Sequence, residues 1–89
     1  MNSEDCDFIT NIANSTALDL INKLKKASEY FREDPECVGK CMMLHHLTII
    51  SLLADYLSAM SQMSDLEEEQ VFAILLQDTK RTMERYGNQ

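Results

Sequence analysis

The sequence has no tryptophan, only 2 glycines and 1 proline, and no Gly-rich phosphate loop, Ser nucleophile elbow or metalloprotease motif. With so few turn residues, and with Leu, Ile, Met, Ala, Glu and Lys well represented, the composition favours helices and leaves β-strands almost no support. The missing loops and motifs are those that phosphate chemistry and hydrolysis need. We therefore expect an all-α protein that is not an enzyme and carries no cofactor.

Basic residues are also scarce. The chain has 8 Lys and Arg against 15 Asp and Glu, which gives a formal net charge of -7. Phosphate backbones and anionic lipids would be repelled by most faces of such a protein, so we expect no direct binding of nucleic acid or membrane. The acidic surface suits a basic protein partner, and it also serves simply to keep a small apolar protein soluble.

The N-terminal residues MNSEDCDF lack the basic start and the following apolar block of a secretory signal. The 3 cysteines are an odd number, which does not suggest a framework of disulfides. We therefore expect reduced thiols and a cytoplasmic protein.

Apolar and small residues recur at helical spacing in the first third of the chain, at Phe8, Ile12, Thr16, Leu20, Leu24, Ala27 and Phe31. This stripe predicts a first helical region. Thr16 and Asp19 are spaced as a capping box. The region is therefore either one helix or two helices with a break near Ser15.

Asp34 and Pro35 mark a turn, because Pro35 disfavours helix at Asp34 but fits the first turn of a new helix that Asp34 can cap. The second helix then has one apolar face, made of Val38, Cys41, Met42, His45, Ile49, Leu52, Leu53, Tyr56, Met60 and Met63. Ser64 and Glu67 form a capping box that predicts the start of a third helix. That helix has an inward stripe of Phe72, Leu76, Thr79, Met83 and Tyr86 and stops at Gly87, and Asn88 and Gln89 form a tail.

The run from Cys41 to Met60 is apolar nearly all the way round, and such a helix has to be surrounded. Because His45, His46 and Asp55 are costly inside a bilayer, we interpret the run as a protein-covered helix and not as a membrane span. Its second apolar face predicts an interface, with Lys40 and Asp55 as rim charges and an apolar centre of Leu44, Leu47, Ile50 and Leu57. The sequence thus predicts a single domain over residues 1–89, a small antiparallel bundle of three helices that dimerises through the central helix.

Two further groups carry candidate chemistry. An acidic patch at the third helix consists of Asp65, Glu67, Glu68 and Glu69, and it either docks a basic partner or lies in solvent at the positive end of the helix dipole. Cys37, Cys41 and His45 are spaced by four residues along one helix edge, and their donor atoms suit Zn²⁺ or Cu⁺. The outer two are roughly 12 Å apart along the axis, so one helix supplies at most two ligands to one ion.

The stretch INKLKKASEYFREDPECVGKCMMLHHL resembles the segment around the first metal-ligating cysteine of the copper-sensing repressors, a family of small all-helical DNA-binding regulators. The resemblance places Cys37 at that cysteine. Later histidine and cysteine ligands of the family have no counterparts after Leu66, and the net charge of -7 lacks the basic surface of such a repressor.

These observations favour a small acidic protein-protein interaction module that regulates or inhibits an unidentified partner protein by occlusion or sequestration. The alternative is a metal-responsive or thiol-responsive sensor built on Cys37, Cys41 and His45.

Overall fold

The structure is a computed structural model that describes residues 2–87, and Asn88 and Gln89, the predicted tail, lie outside them. Residues 2–87 form three α-helices and no strand, which confirms the all-α three-helix prediction. Helix α1 is Ser3–Ser28 and is followed by a 3₁₀ turn, Glu29–Phe31. Helix α2 is Cys37–Met63, and helix α3 is Glu68–Gly87.

Helix α1 is continuous over 26 residues. The Asn2 side chain caps it by accepting a hydrogen bond from the backbone N–H of Asp5, at 2.8 Å. Acidic residues occupy its first turn and Lys25 and Lys26 its last, as the helix dipole favours. Of the two alternatives for the first region, the structure therefore has the unbroken helix, with Thr16 in its interior.

The turn before α2 is organised by Asp34, as predicted. Its carboxylate accepts a hydrogen bond from the backbone N–H of Glu36 at 2.7 Å, and its carbonyl accepts one from Cys37 at 3.0 Å. Lys40 reaches back from the first turn of α2 to the same carboxylate at 2.6 Å. Asp34 therefore organises the turn that precedes α2. Because α2 begins at Cys37, Pro35 lies in this turn and not in the first turn of the helix as predicted.

The predicted capping box at Ser64 is wrong. The Ser64 hydroxyl instead donates to the carbonyl of Met60, at 2.7 Å, and accepts from the N–H of Leu66, at 3.3 Å. It therefore closes the end of α2, and α3 begins only at Glu68. A serine that bonds to a carbonyl of the preceding turn competes for the role that a capping box assigns to it.

The side chains that are best covered do not follow the predicted faces. In α3 the buried residue is Val71, 5% exposed, whereas the predicted inward residues Phe72 and Leu76 are 41% and 42% exposed. In α2 the predicted inward residues Val38 and Met42 are 75% and 68% exposed. The turns at the two ends of a helix determine which of its faces is covered. If the covered face begins one residue earlier in the sequence, that face is rotated by about 100° about the helix axis.

The described residues divide into two compact units at Leu47 and Thr48, within α2. The first unit contains α1, the 3₁₀ turn and the start of α2. Of the first predicted stripe, Leu20, Leu24 and Phe31 are half-buried, whereas the other four residues are exposed, namely Phe8, Ile12, Thr16 and Ala27. The second unit contains the rest of α2 and α3, with Val71 as its buried residue. The single domain over residues 1–89 stays a prediction.

Candidate functional site

The surface of α2 is the first candidate site. No residue of this helix is buried. Its large apolar side chains remain widely exposed, with Met43 at 63%, Ile49 at 55% and Leu52 at 50%. An exposed apolar surface of this kind marks an interaction site in a soluble protein.

The predicted interface residues belong to this surface. Leu47 and Ile50 are 54% and 47% exposed, and Leu44 and Leu57 are half-buried. None of the four is sheltered as a core residue would be. The two predicted rim charges differ, because Asp55 is exposed while Lys40 bonds to Asp34 and lies 5.9 Å from the centre of the Phe31 ring.

By length and composition alone, α2 could also cross a membrane, which is weak evidence when one helix meets this test. The helix contains Asp55 and the two histidines, and hydroxyl side chains at Ser51, Ser58 and Ser61. A carboxylate inside a bilayer costs about 2.5–3.5 kcal/mol on insertion scales. This cost opposes placing Asp55 at the centre of a bilayer.

The second candidate site is the pair of thiols at the start of α2. The Sγ atoms of Cys37 and Cys41 are 3.8 Å apart, and that of Cys41 is also 3.8 Å from the carbonyl oxygen of Ser28. Two thiolates bound at about 2.3 Å to one tetrahedral zinc ion lie about 3.8 Å apart. The pair therefore has the spacing of one edge of a zinc site.

The third predicted ligand does not join this pair. His45 Nδ1 lies 2.7 Å from the carbonyl oxygen of Cys41, at hydrogen-bond distance. Within residues 2–87, no three His, Cys, Asp or Glu side chains lie close enough to hold a metal ion. The thiols could hold an ion only if further ligands came from elsewhere, such as a second chain.

The contact between the two thiols also affects their reactivity. The hydrogen bond with Cys41, followed by burial, raises the pKa of Cys37 above its usual value. The thiolate is the nucleophilic form of cysteine, so Cys37 is less reactive at neutral pH than an ordinary thiol. The geometry does not favour a nucleophilic or redox role for Cys37.

The third candidate site is an open apolar groove of about 260 Å³ in the second unit. It lies where α2 ends and α3 begins, and Ser64 is one of its lining residues. Its apolar lining consists of Tyr56, Met60, Met63, Leu66, Val71 and Ile74. Sequence reasoning missed this groove, although the spacing of Val71 and Ile74 was an available signal, because it placed the inward face of α3 one residue too late.

The residues of the predicted acidic patch are sequence neighbours of residues that line this groove. Asp65 and Glu67 flank the lining residue Leu66, and Glu68 and Glu69 form the first turn of α3. All four are exposed. In the described part of the chain the ion pairs join Lys40 to Asp34 and Arg81 to Asp78, so none of these four carboxylates is neutralised by a cation.

No family model, curated protein or solved structure matches this chain.

Proposed function

We propose that this protein is a small, acidic, non-enzymatic interaction module that self-associates through α2, as a dimer, and regulates or inhibits a partner protein by occluding or sequestering it. We place it in the cytoplasm. The observation that supports the proposal is the exposure of α2, which has no buried residue over 27 residues. Burying apolar surface contributes roughly 25 cal/mol per Å², so a second copy against this helix would stabilise both chains.

Symmetry favours a second copy of the chain as the molecule that covers the apolar surface of α2. The same apolar patch on two copies is self-complementary, and twofold dimers are the commonest oligomers of soluble proteins. Leu47 and Ile50 are the central contacts in this proposal, because they are one turn apart and both remain about half exposed.

Replacing these two residues with charged ones should separate the copies. We expect the double variant Leu47→Asp, Ile50→Asp to keep its helix content and to lose at least tenfold in association affinity, since two carboxylates would be buried without partners. Light scattering coupled to size exclusion gives the mass, and circular dichroism gives the helix content. A matched control is Met83→Asp, Tyr86→Asp on α3, two residues that are 67% and 69% exposed.

The result that contradicts the proposal is a double variant with the same mass as the parent, or one that loses no more mass than the α3 control. A membrane protein would give a different result. If the parent chain requires detergent and floats with neutral phosphatidylcholine vesicles, α2 is covered by lipid and the self-association proposal fails.

The thiol pair supports a second candidate function, a metal-responsive sensor that uses Cys37 and Cys41, whereas the third residue predicted for it, His45, bonds to the Cys41 carbonyl and does not join the pair. The 3.8 Å spacing of the two Sγ atoms favours it. Two chains would together supply the four thiolates of a structural zinc site. This candidate therefore needs two chains that meet at the start of α2, where Cys37 and Cys41 lie, and not at Leu47 and Ile50.

Zinc uptake by freshly reduced protein tests the sensor. We expect stoichiometric binding of Zn²⁺ at micromolar concentration in native mass spectrometry, abolished by Cys41→Ser and kept by Cys6→Ser, which changes an exposed thiol. Absence of binding at micromolar Zn²⁺ and Cu⁺ rejects the sensor, and equal loss in both variants rejects the assignment to Cys37 and Cys41.

A further inference from the structure

The groove of the second unit has an apolar floor and a strongly acidic surrounding sequence. Residues 41–79 contain six Asp and Glu and no Lys or Arg. Four of these acidic residues, Asp65, Glu67, Glu68 and Glu69, lie next to the groove in the chain. A ligand that contacts both the groove and this stretch would therefore combine an apolar anchor with positive charge.

The lining of the groove is adaptable. Met60 and Met63 contribute unbranched, polarizable side chains that adjust to different shapes, and Met63 is 73% exposed. Leu66 and Ile74 remain 39% and 49% exposed at its edges. At about 260 Å³, the groove is smaller and more open than most small-molecule sites, which span about 300–1,000 Å³ and enclose their ligand.

We infer that this groove binds a basic amphipathic helix of a partner protein, with apolar residues of that helix against Met60, Met63 and Leu66 and its Lys or Arg residues near Glu67, Glu68 and Glu69. An amphipathic helix in an apolar groove is a recurrent mode of peptide recognition. The inference rests on the proposed role as an interaction module and specifies the chemistry of its partner.

Charge favours a basic partner in this groove. A second copy placed groove against groove would oppose the same acidic stretch, and like charges repel each other across an interface. Nucleic acid and anionic lipid carry the same sign and are disfavoured for the same reason. A second copy that placed Lys23, Lys25 and Lys26 against the groove would be complementary in charge, and the mass of the Met63→Glu variant distinguishes that case. The central contacts of the proposed self-association, Leu47 and Ile50, are not lining residues of the groove.

Fluorescence anisotropy with a labelled synthetic peptide tests the inference. The probe is a helix of about five turns that carries Leu on one face and Lys on the rest. One control peptide has the same composition in shuffled order, and a second has Glu in place of Lys. We expect the amphipathic basic peptide to bind at least about tenfold more tightly than either control, because each control removes one of the two features that the groove recognises.

Two pairs of variants locate the binding. Met63→Glu should weaken the amphipathic peptide about tenfold, while Met83→Glu, which adds the same charge at an equally exposed methionine, should change binding less than about twofold. The triple variant Glu67→Gln, Glu68→Gln, Glu69→Gln should weaken binding more than Glu4→Gln, Asp5→Asn, Asp7→Asn, which removes the same charge from α1. Circular dichroism confirms that each variant keeps its helices.

The inference is overturned if the shuffled peptide binds as tightly as the amphipathic one, or if the members of either variant pair behave alike. It is also overturned if Met63→Glu lowers the mass of the protein without weakening peptide binding, because the groove would then hold a second copy. Peptide binding measured on the Leu47→Asp, Ile50→Asp variant separates the two proposals. If this variant dissociates and still binds the peptide, both proposals are supported. If it dissociates and does not bind the peptide, only the groove inference is rejected. If it binds the peptide but its mass is unchanged, only the self-association is rejected.

Discussion

The Asp34 side chain holds together the turn that precedes α2. Its carboxylate receives hydrogen bonds from the Glu36 backbone and from the Lys40 ammonium group. Lys40 in turn lies over the Phe31 ring, so the turn, the 3₁₀ segment and the start of α2 are joined through two charged residues. The bond to Lys40, followed by that to the Glu36 backbone, holds the pKa of Asp34 below its usual value.

A lowered carboxyl pKa makes stability depend on pH in a defined direction. The stabilisation by Asp34 is fully present above the ordinary aspartate pKa of about 3.9 and is lost as the pH falls through the lower pKa of the folded state. We therefore expect Asp34→Asn to melt at a lower temperature than the parent at pH 7, with a difference that shrinks in acid. Circular dichroism melting curves at several pH values measure this.

The control for this measurement is Asp19→Asn, which changes an exposed aspartate of α1. If Asp34→Asn and Asp19→Asn have the same effect at pH 7, or if the deficit of Asp34→Asn does not diminish in acid, the carboxylate is not what organises the turn before α2.

At the scale of the elements, the sequence predicted the existence of the helices well and their rotation poorly. Leu20 and Leu24 of the first stripe and the turn at Asp34 were local patterns, and the structure contains them, although Phe8 and Ile12 of the same stripe are exposed. The inward faces of α2 and α3 depend on how Ser64 and Leu66 connect the two helices, and no local pattern records that connection. The groove was not predicted for the same reason, because its lining depends on Val71 facing inward.

Helix α1 offers a direct test of an element that the sequence left open. Thr16 lies in its interior, so Thr16→Ala should raise helix stability by about 0.5 kcal/mol, as alanine does at an interior position. Thr10→Ala is the matched control on the same helix and should behave alike. Thermal melting followed by circular dichroism measures both variants.

A break near Ser15 would give the opposite result. Thr16 would then cap the second piece, and its replacement by alanine would cost about 1 kcal/mol while Thr10→Ala still stabilised the helix. That divergence between the two variants would contradict the continuous α1.

The surface of the molecule as a whole combines exposed apolar side chains with a net negative charge. Val71 is the buried residue of the part of the chain that the structure describes, and the apolar side chains of α2 remain in contact with solvent. Small chains bury a modest share of their surface and are marginally stable alone, so association is the expected source of further stability. The net charge of -7 opposes unspecific aggregation, so that association depends on specific contacts.

Sedimentation equilibrium of the parent chain in detergent-free buffer is the direct test of self-association through α2. We expect a mass that rises with concentration from the 10.2 kDa of one chain to that of two. A mass of 10.2 kDa at every concentration, with the helix content unchanged, would contradict self-association through α2.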